Sequence, residues 1–123
     1  MPISLGPEEI LETIDMVEVQ NLDIRAVTLG VSLRDCAGSD PGEVATKVRA
    51  KVVAAARRLV DAANDIERRY GIPIINKRVA VTPVALICEA MGQEGLYEVA
   101  RALDGAAEDA GIDFIGGFAA LVE

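Results

Sequence analysis

The residues best suited to chemistry fall in two short stretches, Ser32, Arg34, Asp35 and Cys36 before the turn Ala37-Gly38-Ser39, and Asn76-Lys77-Arg78 followed by Thr82. Hydroxyls, guanidinium groups and backbone donors in such a set suit the capture of a small anion. In parallel sheets ligands gather at the carboxyl ends of strands, where helix N-termini offer unpaired N–H groups. Ser32, Arg34, Asn76, Arg78 and Thr82 are therefore the candidate ligand-binding residues. Against this stands a plainer reading in which Ser39, Asp40 and Thr82 only cap helices, a role that accounts for them fully.

The catalytic residue is not identified, and Cys36 is the one candidate. The competing reading is a structural or incidental thiol, since nothing nearby in sequence supplies a base. Cys88, in the apolar stretch 84–91, reads as core. The chain has no histidine, which removes Ser-His and Cys-His pairings and the commonest transition-metal ligand. Two cysteines outside any CxxC spacing do not make a four-ligand zinc site, so no metal is expected. No cofactor is assigned, and GxxxxGK is absent.

Asn76-Lys77-Arg78 puts polar side chains on both faces of one strand, Asn76 and Arg78 on one side and Lys77 on the other. If that region is enclosed, the charges need carboxylate partners or an anionic ligand. Asp23 and Asp113, at comparable strand entrances, are the expected partners. Gly116-Gly117 removes side chains where a backbone or ligand comes close, a bulge or tight packing being the ordinary cause.

Composition narrows the partners. A net charge of −8 repels phosphate backbones, and 3% aromatic residues leave little for bases to stack on; nucleic acid is not an expected partner. The longest uncharged apolar stretch, 79–88, is far shorter than the roughly 20 residues a membrane span needs. Glu8, Glu9, Glu12 and Asp15 stand where a signal peptide carries basic residues. The expectation is a cytoplasmic protein with no membrane partner.

The elements that must position these residues are legible in the punctuation. Asp40-Pro41-Gly42-Glu43 reads as N-cap, first-turn proline and acidic N3 residue, and Gly71 with Pro73 closes the helix. At 1.5 Å per residue this helix runs about 45 Å, long enough to cross a larger sheet. Another helix is expected from Pro7 to near Asn21, with Ile10, Leu11, Ile14 and Val17 on one side. A short one should start at Thr82-Pro83 and stop at Gly92, and a fourth should span 94–110 before Gly111.

Strands are expected at 24–33, 74–81 and 114–121. Tyr70-Gly71-Ile72-Pro73 and Ala110-Gly111-Ile112-Asp113 repeat one device, a glycine helix stop followed at once by an apolar run. Gly71 and Gly111 should have positive φ. The order of elements implies α/β architecture with parallel strands and right-handed crossover helices. In the first strand Val27, Leu29, Val31 and Leu33 face one way, under helix 41–70. Thr28, Gly30, Ser32 and Arg34 face the other, and the enclosed reading of that small, polar face is favoured, because parallel sheets are covered on both sides.

Three stretches are more specific than any of these patterns: NLDIRAVTLGVSLRDC at 21–36, GIPIINKRVAVTP at 71–83 and GIDFIGGFAALV at 111–122. Together, in this order and spacing, they resemble the opening segments of the domain-of-unknown-function 711 family, also called uncharacterised protein family 0210. The resemblance runs from about Glu9 to the last residue. It implies part of a large α/β barrel similar to that of pyruvate formate-lyase and the ribonucleotide reductase large subunits, with residues 1–123 as its N-terminal segment. The implied partner is the remaining barrel segment on another chain, or a second copy in a homo-oligomer, and the apolar run 114–122 should be buried against it. The resemblance brings no settled reaction. Two functions stay open: part of an enzyme acting on a small anionic metabolite, and a non-enzymatic ligand-binding or self-assembling module.

Overall fold

A computed structural model of the chain describes residues 6–15 and 23–118. In chain order these form α1 (Pro7–Ile14), β1 (Ile24–Val31), a 3-10 turn (Arg34–Cys36), α2 (Pro41–Tyr70), β2 (Ile74–Val81), α3 (Val84–Ile87), α4 (Gly92–Ala110) and β3 (Phe114–Gly116).

The long helix begins where its capping residues dictate. The Asp40 carboxylate accepts the Gly42 N–H at 3.1 Å, satisfying one of the donors a helix start leaves unpaired. Glu43 and Lys47 pair at 3.0 Å one turn apart. The helix ends at Gly71, whose φ of 65° lets its N–H reach back to the Glu67 carbonyl. Gly111 repeats this at the end of α4 with φ 69°. Both positions require the left-handed conformation that glycine adopts without Cβ strain. α1 is held at its start by Glu9, whose carboxylate accepts the Gly6 N–H at 2.6 Å.

The strands form a parallel sheet in the order β1-β2-β3. The register pairs Val27 with Lys77, Leu29 with Val79 and Val31 with Val81, and continues from Val79 to Ile115. This row faces the helices. Leu29, Val31, Val79, Val81 and Ile115 share one apolar cluster with Val44, Val48 and Val52 of α2 and Val99, Leu103 and Ala106 of α4. Val27 is half-buried. The two helices pack side by side on this face, closely enough that the Arg49 guanidinium lies over the bare backbone of Gly105 and pairs with Asp109.

The structure departs from the sequence reading at four places. α3 ends at Ile87, and Gly92 starts α4 instead of ending a helix; its φ of 69° makes it the joint between the two. β1 stops at Val31 because Leu33 and Arg34 turn into the 3-10 segment. β3 stops at Gly116 because Gly117, at φ 112°, leaves the extended conformation. The expected residues 119–121 of β3, and Val17 with the rest of 16–22, lie outside the described residues. Finally, α1 buries none of its side chains, and Ile10, Leu11 and Ile14 are exposed.

The other face of the sheet is open. Thr28, Gly30, Arg78, Ala80 and Phe114 are all exposed, so the cover expected over this face is not supplied by the described residues. They form a sheet with two edges and one helical layer. No helix among them is long and apolar enough to cross a membrane.

Candidate functional site

The parallel register brings the candidate residues onto one surface at two stations. Pairing of Thr28 with Arg78 and of Ala26 with Asn76 puts Asn76 and Arg78 in the middle of the open face. Ser32 and Thr82 follow the last register pair, Val31 with Val81, at the carboxyl ends of their strands. From Arg78 to Thr82 the chain advances four residues, about 13 Å at the usual strand rise.

At the strand ends the best-defined contact belongs to Thr82. Its hydroxyl accepts the Leu33 N–H at 2.9 Å, and its own N–H reaches the Val31 carbonyl at 3.3 Å. Thr82 therefore joins β1 to β2 and does not cap α3, whose first turn has no side-chain cap. The plain capping reading holds for Asp40 and fails for Thr82. Leu33 is fully buried, so replacing Thr82 by Val strands a buried N–H. Thr82→Val is expected to lower unfolding free energy by about 1–2 kcal/mol, with Thr82→Ser restoring most of it, as read by urea denaturation. A Val variant as stable as the wild type would mean that another acceptor serves Leu33.

Ser32 and Arg34 are exposed, and the Arg34 N–H meets the Ser32 hydroxyl at 3.5 Å, a long contact of the kind serine makes in turns. Asp35 pairs with Lys51 of α2 at 2.7 Å, which holds its carboxyl below the ordinary aspartate range. Cys36 is buried, with its sulfur 3.7 Å from the Asp35 carboxylate. Burial pushes the thiol pKa up, and the neighbouring Asp35 charge adds to this. The environment favours the neutral thiol over the thiolate that nucleophilic catalysis uses. Cys88 is buried too, and burial raises its pKa likewise.

On the middle of the face the Arg78 guanidinium lies 5.7 Å from the Phe114 ring centre, within cation–π range. Asn76 donates to the Arg25 carbonyl at 3.2 Å, so its amide is partly used in tying β2 to β1. Lys77 turns to the helix side, where its ammonium lies 3.6 Å from Glu67. Asp113 takes a different part from the expected ion pair: it accepts the Lys77 backbone N–H at 2.8 Å, and its own N–H returns to the Lys77 carbonyl at 3.0 Å. Glu67, which also accepts the Ile74 N–H at 3.0 Å, was not singled out in the sequence. Its proximity to the helix-ending Gly71 was the available signal. Asp23 is exposed at the entrance to β1.

Chemically, the arrangement offers one guanidinium on a small, open platform and a second guanidinium with two hydroxyls at the strand ends. Of the hydroxyls, that of Thr82 is already engaged. Among the described residues no three Cys, Asp or Glu side chains gather where they would hold a metal ion.

Comparison with known proteins adds the context. The family profile "Uncharacterised ACR (DUF711)" matches residues 15–123. A UPF0210 protein of Desulforudis audaxviator is 58% identical over 118 residues. Counterparts in Halothermothrix orenii and Methanosarcina mazei are 55% and 48% identical. In each case the match takes in 96% of this chain and 26% of the relative. The chain thus spans about a quarter of the length of these relatives.

Proposed function

Because the chain belongs to the DUF711 family, whose curated members extend well beyond it, we propose that its sheet is part of a larger α/β barrel whose interior binds a small anionic metabolite. The observation that carries this reading is the bare face of the sheet. One face is packed under α2 and α4, while the other presents Thr28, Gly30, Ala80 and Arg78 to solvent. Parallel sheets are ordinarily covered on both faces, and a face of small and polar side chains suits a lined cavity better than a packed core. The proposed barrel is of the pyruvate formate-lyase type, and Ser32, Arg34, Asn76, Arg78 and Thr82 contribute its ligand contacts. Arg78 supplies the charge, and the strand-end groups fix orientation.

A non-enzymatic binding module is the second reading, and Cys36 supports it. A buried thiol with a raised pKa is not an activated nucleophile, so binding does not bring an evident reaction with it.

The test is calorimetric titration with inorganic phosphate, acetate and succinate, using the chain alone and together with the remaining segment of a relative. Arg78→Met is expected to weaken anion binding at least tenfold without moving the melting temperature. Equal binding by wild type and variant would remove Arg78 from the site, and binding by neither, with the remaining segment present, would leave the face a purely structural surface.

A further inference from the structure

The two edges of the sheet are chemically unlike, and we infer that the β3 edge, with the groove between β3 and α4, docks the next β-strand and helix of the longer family protein. This rests on the larger-barrel reading above and names the surface through which the barrel continues. Phe114 and Phe118 are 58% and 54% exposed, beside a groove of about 300 Å³ lined by Ala100, Leu103, Ala107 and Ile115. Among the described residues β1 presents no large exposed hydrophobic side chain. Among the described residues β3 stands at the edge of the sheet, and an edge strand next to an apolar hollow is a template for another strand. Ala100 and Ala107 are two turns apart on α4, and their small side chains let a second helix approach closely.

The occupant follows from length and charge. The relatives carry about three quarters of their length beyond the matched part, ample for a further strand and helix. A second copy fits less well. Around a two-fold axis the same patch meets itself, which brings the two groove linings, each containing Asp104 and Asp113, together in a chain of net charge −8. The docked helix should instead present an apolar face flanked by Lys or Arg opposite Asp104.

The experiment is co-expression of the tagged chain with the unmatched remainder of the Desulforudis audaxviator relative. That relative's own matching segment, paired with the same remainder, is the positive control. One-to-one co-purification is expected, with recovery reduced at least tenfold by Ala100→Arg and unchanged by Arg58→Glu at an exposed position of α2. Each variant alone should keep the wild-type melting curve. Capture that survives Ala100→Arg overturns the groove assignment and leaves the barrel reading standing. Failure of capture while the control pair assembles overturns both. A dimer of the chain alone by light scattering, broken by Ala100→Arg, would give the groove to a second copy and overturn the inference.

Discussion

Gly117→Ala is expected to destabilise the fold by about 3 kcal/mol or more, since it combines a strained conformation with a backbone collision. At φ 112° an L-residue is strained whatever the space around it. Here there is also no space: an added Cβ would lie 2.4 Å from the Val81 carbonyl oxygen and 2.9 Å from Val81 Cγ2. The segment has little freedom to retreat, because the Gly117 carbonyl accepts the Val84 N–H at 3.1 Å. The melting temperature should fall by roughly 10 °C or more. Two neighbouring experiments isolate the cause. At Gly30 a Cβ meets nothing within 4 Å, and at Gly116 only the Phe114 ring at 3.6 Å. Alanine at either is expected to be neutral or to stabilise by up to about 1 kcal/mol in this chain. A Gly117→Ala variant that melts with the Gly116→Ala variant would refute the contact between β3 and the end of β2.

Leu33→Ala is expected to lower unfolding free energy by about 3 kcal/mol, within the range for emptying a buried leucine site. Leu33 is fully buried although it follows the strand and is not part of it. Its N–H goes to Thr82, and its carbonyl accepts the Cys36 N–H at 2.9 Å. The side chain thus anchors the turn that carries Ser32 and Arg34, and its loss loosens the strand ends as well as the core. Leu33→Met, which conserves volume, should lose less than about 1.5 kcal/mol. Urea unfolding of both variants is the check, and equal stability of Leu33→Ala and wild type would contradict the burial of this turn.

Where function residues are set by local physics, the sequence was a good guide. Asp40, Pro41 and Gly71 bound α2 because a cap, a fixed φ and a left-handed residue act within one turn. Gly111 did the same for α4. The order of helices and strands was enough for a parallel sheet, and the three quoted stretches led to the family. What escaped depended on partners far along the chain. Thr82 looked like a cap because Ser and Thr before a helix usually are; its real partner, Leu33, is 49 residues away. Asp113 looked like a counter-ion for a strand charge, yet it serves a backbone N–H, while Lys77 found Glu67 on the helix behind it. Gly117 was noted as a site of close approach, but only the fold reveals Val81 as the group that approaches. The open face shows the same limit in reverse: its small, polar pattern was legible, and its cover is not among these residues.

The thirty-residue helix α2 also governs how fast this chain organises itself. Pairing β1 with β2 needs residues about fifty apart in sequence to meet, and parallel strands give no short-range hairpin from which to start. A flexible connection of that length must give up loop entropy before any ladder bond forms. With its Asp40 cap, its Glu43–Lys47 pair and the Asp65–Arg69 pair at 3.0 Å near its end, α2 favours its own early formation and replaces most of that loop with a rod. The search that remains is confined to the short joints at its two ends. Gly71, by turning the chain back toward β1, makes a long-range encounter nearly local.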